Sequence, residues 1–211
     1  MVLLRRLMIS MIPGFYGVVG PLIILAFILV AISQSSWFSW TENSLSDLGA
    51  SRDAAAALFN SGLIIGGVLI TLFGIGLKAT MPGLTRGSVG AIAVILGGLA
   101  LCSAGIFTNR SGMDKVVHLY TSGLLFALFI VALLLIGSAM MQDPEDRNLG
   151  LFVFKMALLV GIVGVALLAG QLAQGAMAIL EFIIALGTSA CYIILGVRFF
   201  KRSLPLKPTE H

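Results

Sequence analysis

Six apolar runs alternate along the chain with short polar segments. A hydrocarbon core of about 30 Å takes roughly 20 apolar residues in helical form, so each run has the length of one crossing. The runs predict spanning helices over about 15–33, 54–77, 88–107, 116–141, 149–173 and 175–197. The expected fold class is therefore all-α: a six-transmembrane-helix bundle, with residues 1–211 forming a single transmembrane domain. The first run is longer than the apolar core of about 7–15 residues found in a signal peptide, so it reads as a retained helix. Pro21 removes a backbone donor within it and predicts a slight break there.

The polar segments carry their own local signals. Gln34 to Asp53 contains Trp37 and Trp40, whose indoles suit a membrane–water interface. Ser44 and Asp47 have the spacing of a capping box, which predicts a short interfacial helix. Ser51 is the expected N-cap of the second span, with Asp53 in its first turn. Pro82-Gly83 predicts a turn, and Ser111 to Asp114 predicts a second capping box. Arg198, Lys201, Arg202 and Lys207 read as a basic tail after the last span. Gly62 and Gly66, one turn apart, predict close packing against another helix.

Composition agrees with a bilayer setting. The chain is 59% hydrophobic and 10% charged, where a soluble domain carries about 25% charged residues. A net charge of +4 would suggest nucleic acid in a soluble protein. Here the basic residues flank apolar runs, so they read as topology signals and lipid-headgroup contacts, and nucleic acid is excluded as a partner. Ten of the 13 Lys and Arg residues fall on the side of the two termini. The positive-inside rule then predicts cytoplasmic N- and C-termini and a multi-pass protein of the cell membrane. Cys102 and Cys191 lie in spans of opposite direction, toward opposite faces, which argues against a disulfide; no metal spacing occurs.

Polar groups in hydrocarbon face the bundle interior or a wet cavity. In this chain they cluster in the half opposite the termini. Asn60, His118, Gln171, Gln174 and Glu181 lie within or at the ends of spans there, and Ser46, Asp47, Asn109, Arg110 and Lys115 lie in the adjoining loops. Glu181 sits among apolar residues, where it would stay protonated or seek a cation, with His118, Arg110 and Lys115 the available partners. Lys115, His118 and Ser122 share one helix face. The residues expected to carry chemistry are His118, Asp47 and Glu181, with His118 as the acid–base group. Those expected to contact a ligand are Ser46, Asn60, Asn109, Arg110, Lys115, Gln171 and Gln174. No metal or cofactor site is predicted, and the sequence leaves open whether the protein is an enzyme.

Leu45-Ser46-Asp47-Leu48-Gly49-Ala50, then Phe59-Asn60-Ser61-Gly62, Gly105-Ile106-Phe107 and His118, together resemble the prokaryotic, largely archaeal, six-span family catalogued as domain of unknown function 998. Thr108 departs from the proline expected after Gly-Ile-Phe. More remotely the chain is similar to the eukaryotic Frag/DRAM/Sfk group, which carries a similar loop after its first span. The resemblance implies a six-helix fold. Through the remote group, which includes a factor that remodels lipid anchors, it also implies lipid recognition or lipid chemistry as an analogy. The function expected is thus binding or remodelling of a membrane lipid at an outward-facing polar pocket. A non-enzymatic accessory subunit, in a homo-oligomer or a larger membrane complex, is the alternative. A small transporter ranks last.

Overall fold

The computed structural model describes residues 2–81, 83, 85–110, 112–171 and 177–203. Among these residues it contains seven helices and no strand: α1 (Val2–Ser33), α2 (Leu45–Ala50), α3 (Ala54–Ala79), α4 (Arg86–Ile106), α5 (Gly112–Met140), α6 (Arg147–Gln171) and α7 (Met177–Ser203). All but α2 are long and apolar enough to cross a membrane. The chain is a multi-pass membrane protein.

The six long helices form a ring. Each packs on its neighbours in chain order, and α7 returns to pack against α1. α5 and α7 hardly touch, and the space between them is the interior of the ring. Consecutive helices alternate in direction, so residues 34–53 and 107–110 lie at one end, here called the α2 end. The loops around residues 80 and 141–146 lie at the opposite, terminal end. Outward faces carry exposed apolar side chains such as Leu29, Leu99 and Ile162, the surface a bilayer covers.

Glycine brings the helices close where side chains would hold them apart. A Cβ on Gly196 of α7 would stand 2.8 Å from the carbonyl oxygen of Gly14 in α1, nearer than real Cβ atoms come. Gly62 and Gly66 of α3 similarly leave room for Phe27 and Ile24 of α1, so the small-residue pair seen in the sequence is the α1–α3 contact.

Four local expectations need correction. α1 runs unbroken through Pro13 and Pro21; both prolines are buried against neighbouring helices, a setting in which spanning helices tolerate them. The N-cap of α3 is Asp53, whose carboxylate accepts the Ala55 N–H at 3.0 Å. Ser51 instead ends α2, and its hydroxyl lies 2.9 Å from the Leu48 carbonyl and 2.6 Å from Asp53 Oδ1. Arg198, Lys201 and Arg202 belong to the last turns of α7 and form no separate tail. Two of them are held there by the 141–146 loop: Arg198 Nε donates to Asp146 at 2.5 Å, and Arg202 reaches Asp143 and Asp146 at 2.8 Å each. Lys207 and Ser111 lie outside the described residues, and with Ser111 the second capping box.

Candidate functional site

The segment between α1 and α3 folds across the α2 end of the ring. Asn43 accepts the Ala178 N–H of α7 at 3.1 Å through its carbonyl. Trp40 stacks edge-on against Phe182 of α7, with centroids 5.3 Å apart. The Trp37 indole donates to Asp53 Oδ2 at 2.9 Å. Leu45 and Leu48 of α2 are buried in the common core. This helix is short, so its own hydrogen bonds contribute little, and its position depends on these outside contacts.

Glu181 provides one of them. Its Oε2 accepts the backbone N–H of Leu45 at 2.5 Å, satisfying an amide at the start of α2 that has no partner within its own helix. Among the described residues no cation pairs with Glu181, so the basic partner expected from the sequence is replaced by a main-chain amide. Asp47 serves the same short helix, accepting the Ser44 N–H at 2.8 Å as the return half of the predicted capping box. The Ser44 hydroxyl turns to Ser46, 2.9 Å away.

His118 is buried at 8% exposure on the first turns of α5. Its Nδ1 lies 2.9 Å from the Phe107 carbonyl oxygen and 3.2 Å from that of Ala104, both at the end of α4. Carbonyls only accept, so this nitrogen carries the proton. In the neutral ring Nε2 is then an acceptor, and Ser122 Oγ lies 3.4 Å from it, one turn along α5. Main-chain carbonyls therefore orient the imidazole; neither Asp47 nor Glu181 bonds to it among the described residues.

These groups meet at a cavity of about 640 Å³ inside the ring, to which all six long helices contribute. Pockets for small organic ligands run to about 300–1,000 Å³. The wall is chiefly apolar, with Ile24, Leu63, Leu101, Phe129 and Ile184 among its side chains. Polar groups gather at the α2 end: Ser44, Ser46, Asn109, Lys115, His118 and Glu181 line the cavity there. Lys115 is exposed and makes no hydrogen bond or ion pair among the described residues. Asn109 reaches Ser46 Oγ at 3.5 Å.

Other predicted site residues fall elsewhere. Asn60 donates to the Gly49 carbonyl at 3.0 Å, tying α3 to α2. Exposed Arg110 donates to the Ser51 carbonyl at 3.0 Å. Asp47, Asn60 and Arg110 thus hold the cover of the cavity and do not line it. Gln174 lies outside the described residues, as does the side chain of Gln171. The sequence reading missed Thr188, Ser189 and Tyr192, which line the cavity deeper along α7. Their signal was present: Glu181, Thr188 and Tyr192 recur at helical spacing on one face of an otherwise apolar helix.

Three glycines form part of the wall. Gly123 of α5 and Gly161 and Gly164 of α6 line the cavity. Among the described residues, a Cβ on Gly123 would meet nothing within 4 Å, and those on Gly161 and Gly164 would touch only Ile130, at 3.7 and 3.8 Å.

A family model described as Protein of unknown function (DUF998) matches residues 18–198. The chain belongs to that family. No curated protein and no solved structure matches it.

Proposed function

We propose that this member of the DUF998 family binds a membrane amphiphile, with the headgroup at the α2 end and the chain in the apolar interior of the ring. The observation that carries the reading is the division of one cavity into an apolar body and a polar end. That polarity matches a lipid molecule and suits neither a wholly polar solute nor a wholly apolar one. Lys115 supplies a cation with no counter-ion among the described residues, and Asn109, Ser46 and His118 supply hydrogen-bonding groups. The gap at Gly123, Gly161 and Gly164 is where the chain enters sideways from the bilayer.

The excess of Lys and Arg at the terminal end supports a cytoplasmic position for that end, because short loops follow the count of basic residues and Asp and Glu contribute little. The acidic 141–146 loop therefore leaves this assignment intact. The polar end of the cavity then faces the outside of the cell membrane. Binding comes first in this reading. Remodelling chemistry would fall to His118, whose Nε2 faces Ser122 in the cavity wall. The likeness to the Frag/DRAM/Sfk group adds analogy alone.

Lipid retention tests the proposal. Protein purified in mild detergent is expected to carry about one tightly held lipid per chain, and Gly123→Phe is expected to lose most of it while remaining folded. Equal retention by the two proteins would overturn the reading. A stoichiometric protein partner without retained lipid would favour an accessory subunit instead.

A further inference from the structure

A hydroxyl inside a helix commonly donates to a main-chain carbonyl one turn back. Thr121, Ser138 and Thr188 do so, at 2.9, 2.9 and 2.7 Å. Ser122 does not. Its Oγ bonds to no carbonyl among the described residues and lies 3.4 Å from His118 Nε2. The other ring nitrogen, Nδ1, is held by the Phe107 and Ala104 carbonyls at the end of α4, so Nε2 is the acceptor and the serine hydroxyl donates to it. A serine beside an imidazole whose far nitrogen is fixed is the arrangement of a nucleophile and its base. The two carbonyls hold tautomer and orientation, the part a carboxylate plays in Ser–His–Asp sites. Such pairs stand looser before substrate binds than in the reacting complex, which accommodates the 3.4 Å separation.

The place of the pair along α5 defines the bond it would meet. Lys115, His118 and Ser122 follow one another from the α2 end inward, and at about 1.5 Å per residue the first and last are roughly 10 Å apart along the helix. All three line the cavity, and Ser122 is the last polar side chain that α5 gives its wall; Leu125, Phe126, Phe129 and Ile130 come next. Ser122 is only half-buried, and its neighbour Gly123 adds no side chain beside it. The pair therefore stands where the polar end of the cavity passes into its apolar body. An amphiphile seated with its headgroup at the α2 end brings the linkage between headgroup and chain to this level.

We infer that Ser122 and His118 are a nucleophile and base that hydrolyse an ester joining the headgroup and chain of the bound amphiphile. This deepens the amphiphile reading and rests on it. Ser122 Oγ attacks the ester carbonyl carbon, and its proton passes to His118 Nε2. The tetrahedral adduct collapses, the bond to the headgroup oxygen breaks, and that oxygen takes the proton from Nε2 and leaves as an alcohol. Water then attacks the acyl-serine ester and gives a proton to Nε2. Ser122 Oγ recovers that proton as the fatty acid departs, so ester and water become acid and alcohol. Asn109 and Lys115 line the same end and are the donors available to the negative oxygen of each adduct.

A long-chain alkyl fluorophosphonate, which joins its phosphorus to an activated serine oxygen and releases fluoride, tests the pair. The full chain in mild detergent is treated with it and read by intact mass and peptide mapping, with retained lipid measured in the same samples. A single adduct on Ser122 is expected. Ser122→Ala should show none while keeping its lipid. His118→Gln should also keep its lipid and react about 10²–10⁴-fold more slowly, the range for loss of a general base. An adduct that persists in Ser122→Ala, or undiminished labelling of His118→Gln, would overturn the inference. Protein that retains lipid but does not react would overturn it too and leave the amphiphile reading standing, whereas protein that neither retains lipid nor reacts would remove both.

Discussion

Glu181 of α7 accepts the backbone N–H of Leu45, the first residue of α2, at 2.5 Å across 136 residues of chain. This bond fastens the cover of the cavity to the helix that forms much of its wall. The lone acidic side chain of this apolar helix is therefore a latch. Glu181→Ala should release α2, and hydrogen exchange at Leu45 should quicken by an amount matching about 1–3 kcal/mol, the cost of leaving a buried backbone donor without its partner. Glu181→Gln retains an accepting oxygen and should lie between the two. Exchange at Leu45 unchanged in Glu181→Ala would show that the buried leucines alone hold α2.

The same cover carries a pH response. Asp53 accepts hydrogen bonds from the Ser51 hydroxyl and the Trp37 indole, which hold its carboxyl below the usual carboxylate range. A folded value below the unfolded value of about 3.9 gives a stabilisation that is complete above that pH and fades as pH falls through the folded value. In a Trp40→Phe background, Trp37 fluorescence should stay constant from neutral pH down to about 4 and change below it. Asp53→Asn should abolish the acid transition. A transition centred near neutral pH would contradict this account.

At the terminal end, Asp146 is 5% exposed and accepts from both Arg198 and Arg202. Asp146→Ala leaves two guanidinium groups short of a partner and should cost about 2 kcal/mol, read as a fall in thermal stability in detergent. Asp143 is only half-buried, and the Arg202 hydrogen bond holds its carboxyl low; Asp143→Ala should lower stability less. Equal losses from the two variants would mean that burial of Asp146 adds nothing.

Two glycines should respond in opposite ways to one added methyl. Gly196→Ala drives a Cβ against the Gly14 carbonyl and should destabilise by about 1–3 kcal/mol through overpacking. Gly123→Ala enters open space and should leave stability within about 0.5 kcal/mol of the parent. Matching behaviour at both positions would contradict the difference in packing around the two glycines.

The spanning helices were legible because lipid demands long apolar runs, and no other contact has to be known to read them. Local signals were read less evenly. Ser44 and Asp47 specify the start of α2 by their spacing alone. Ser51 and Asp53 are both good N-cap residues, and only the end of α2 at Ser51 decides between them. The partner of Glu181 was out of reach for a different reason: it is a main-chain amide in a distant segment, which no residue type announces. Tyr192 keeps helical spacing with Glu181 and Thr188, a pattern whose meaning shows only once the cavity beside it is seen.

The most direct measurement of the central claim is photolabelling in native membranes, with a lipid carrying its reactive group midway along the chain, followed by mapping of the modified peptides. Labels are predicted on the cavity-facing stretch of α5 from Leu119 to Ile130 and of α7 from Glu181 to Tyr192, and Gly123→Phe should suppress them. Labels confined to outward residues such as Leu29, Leu99 and Ile162, with or without that substitution, would contradict it.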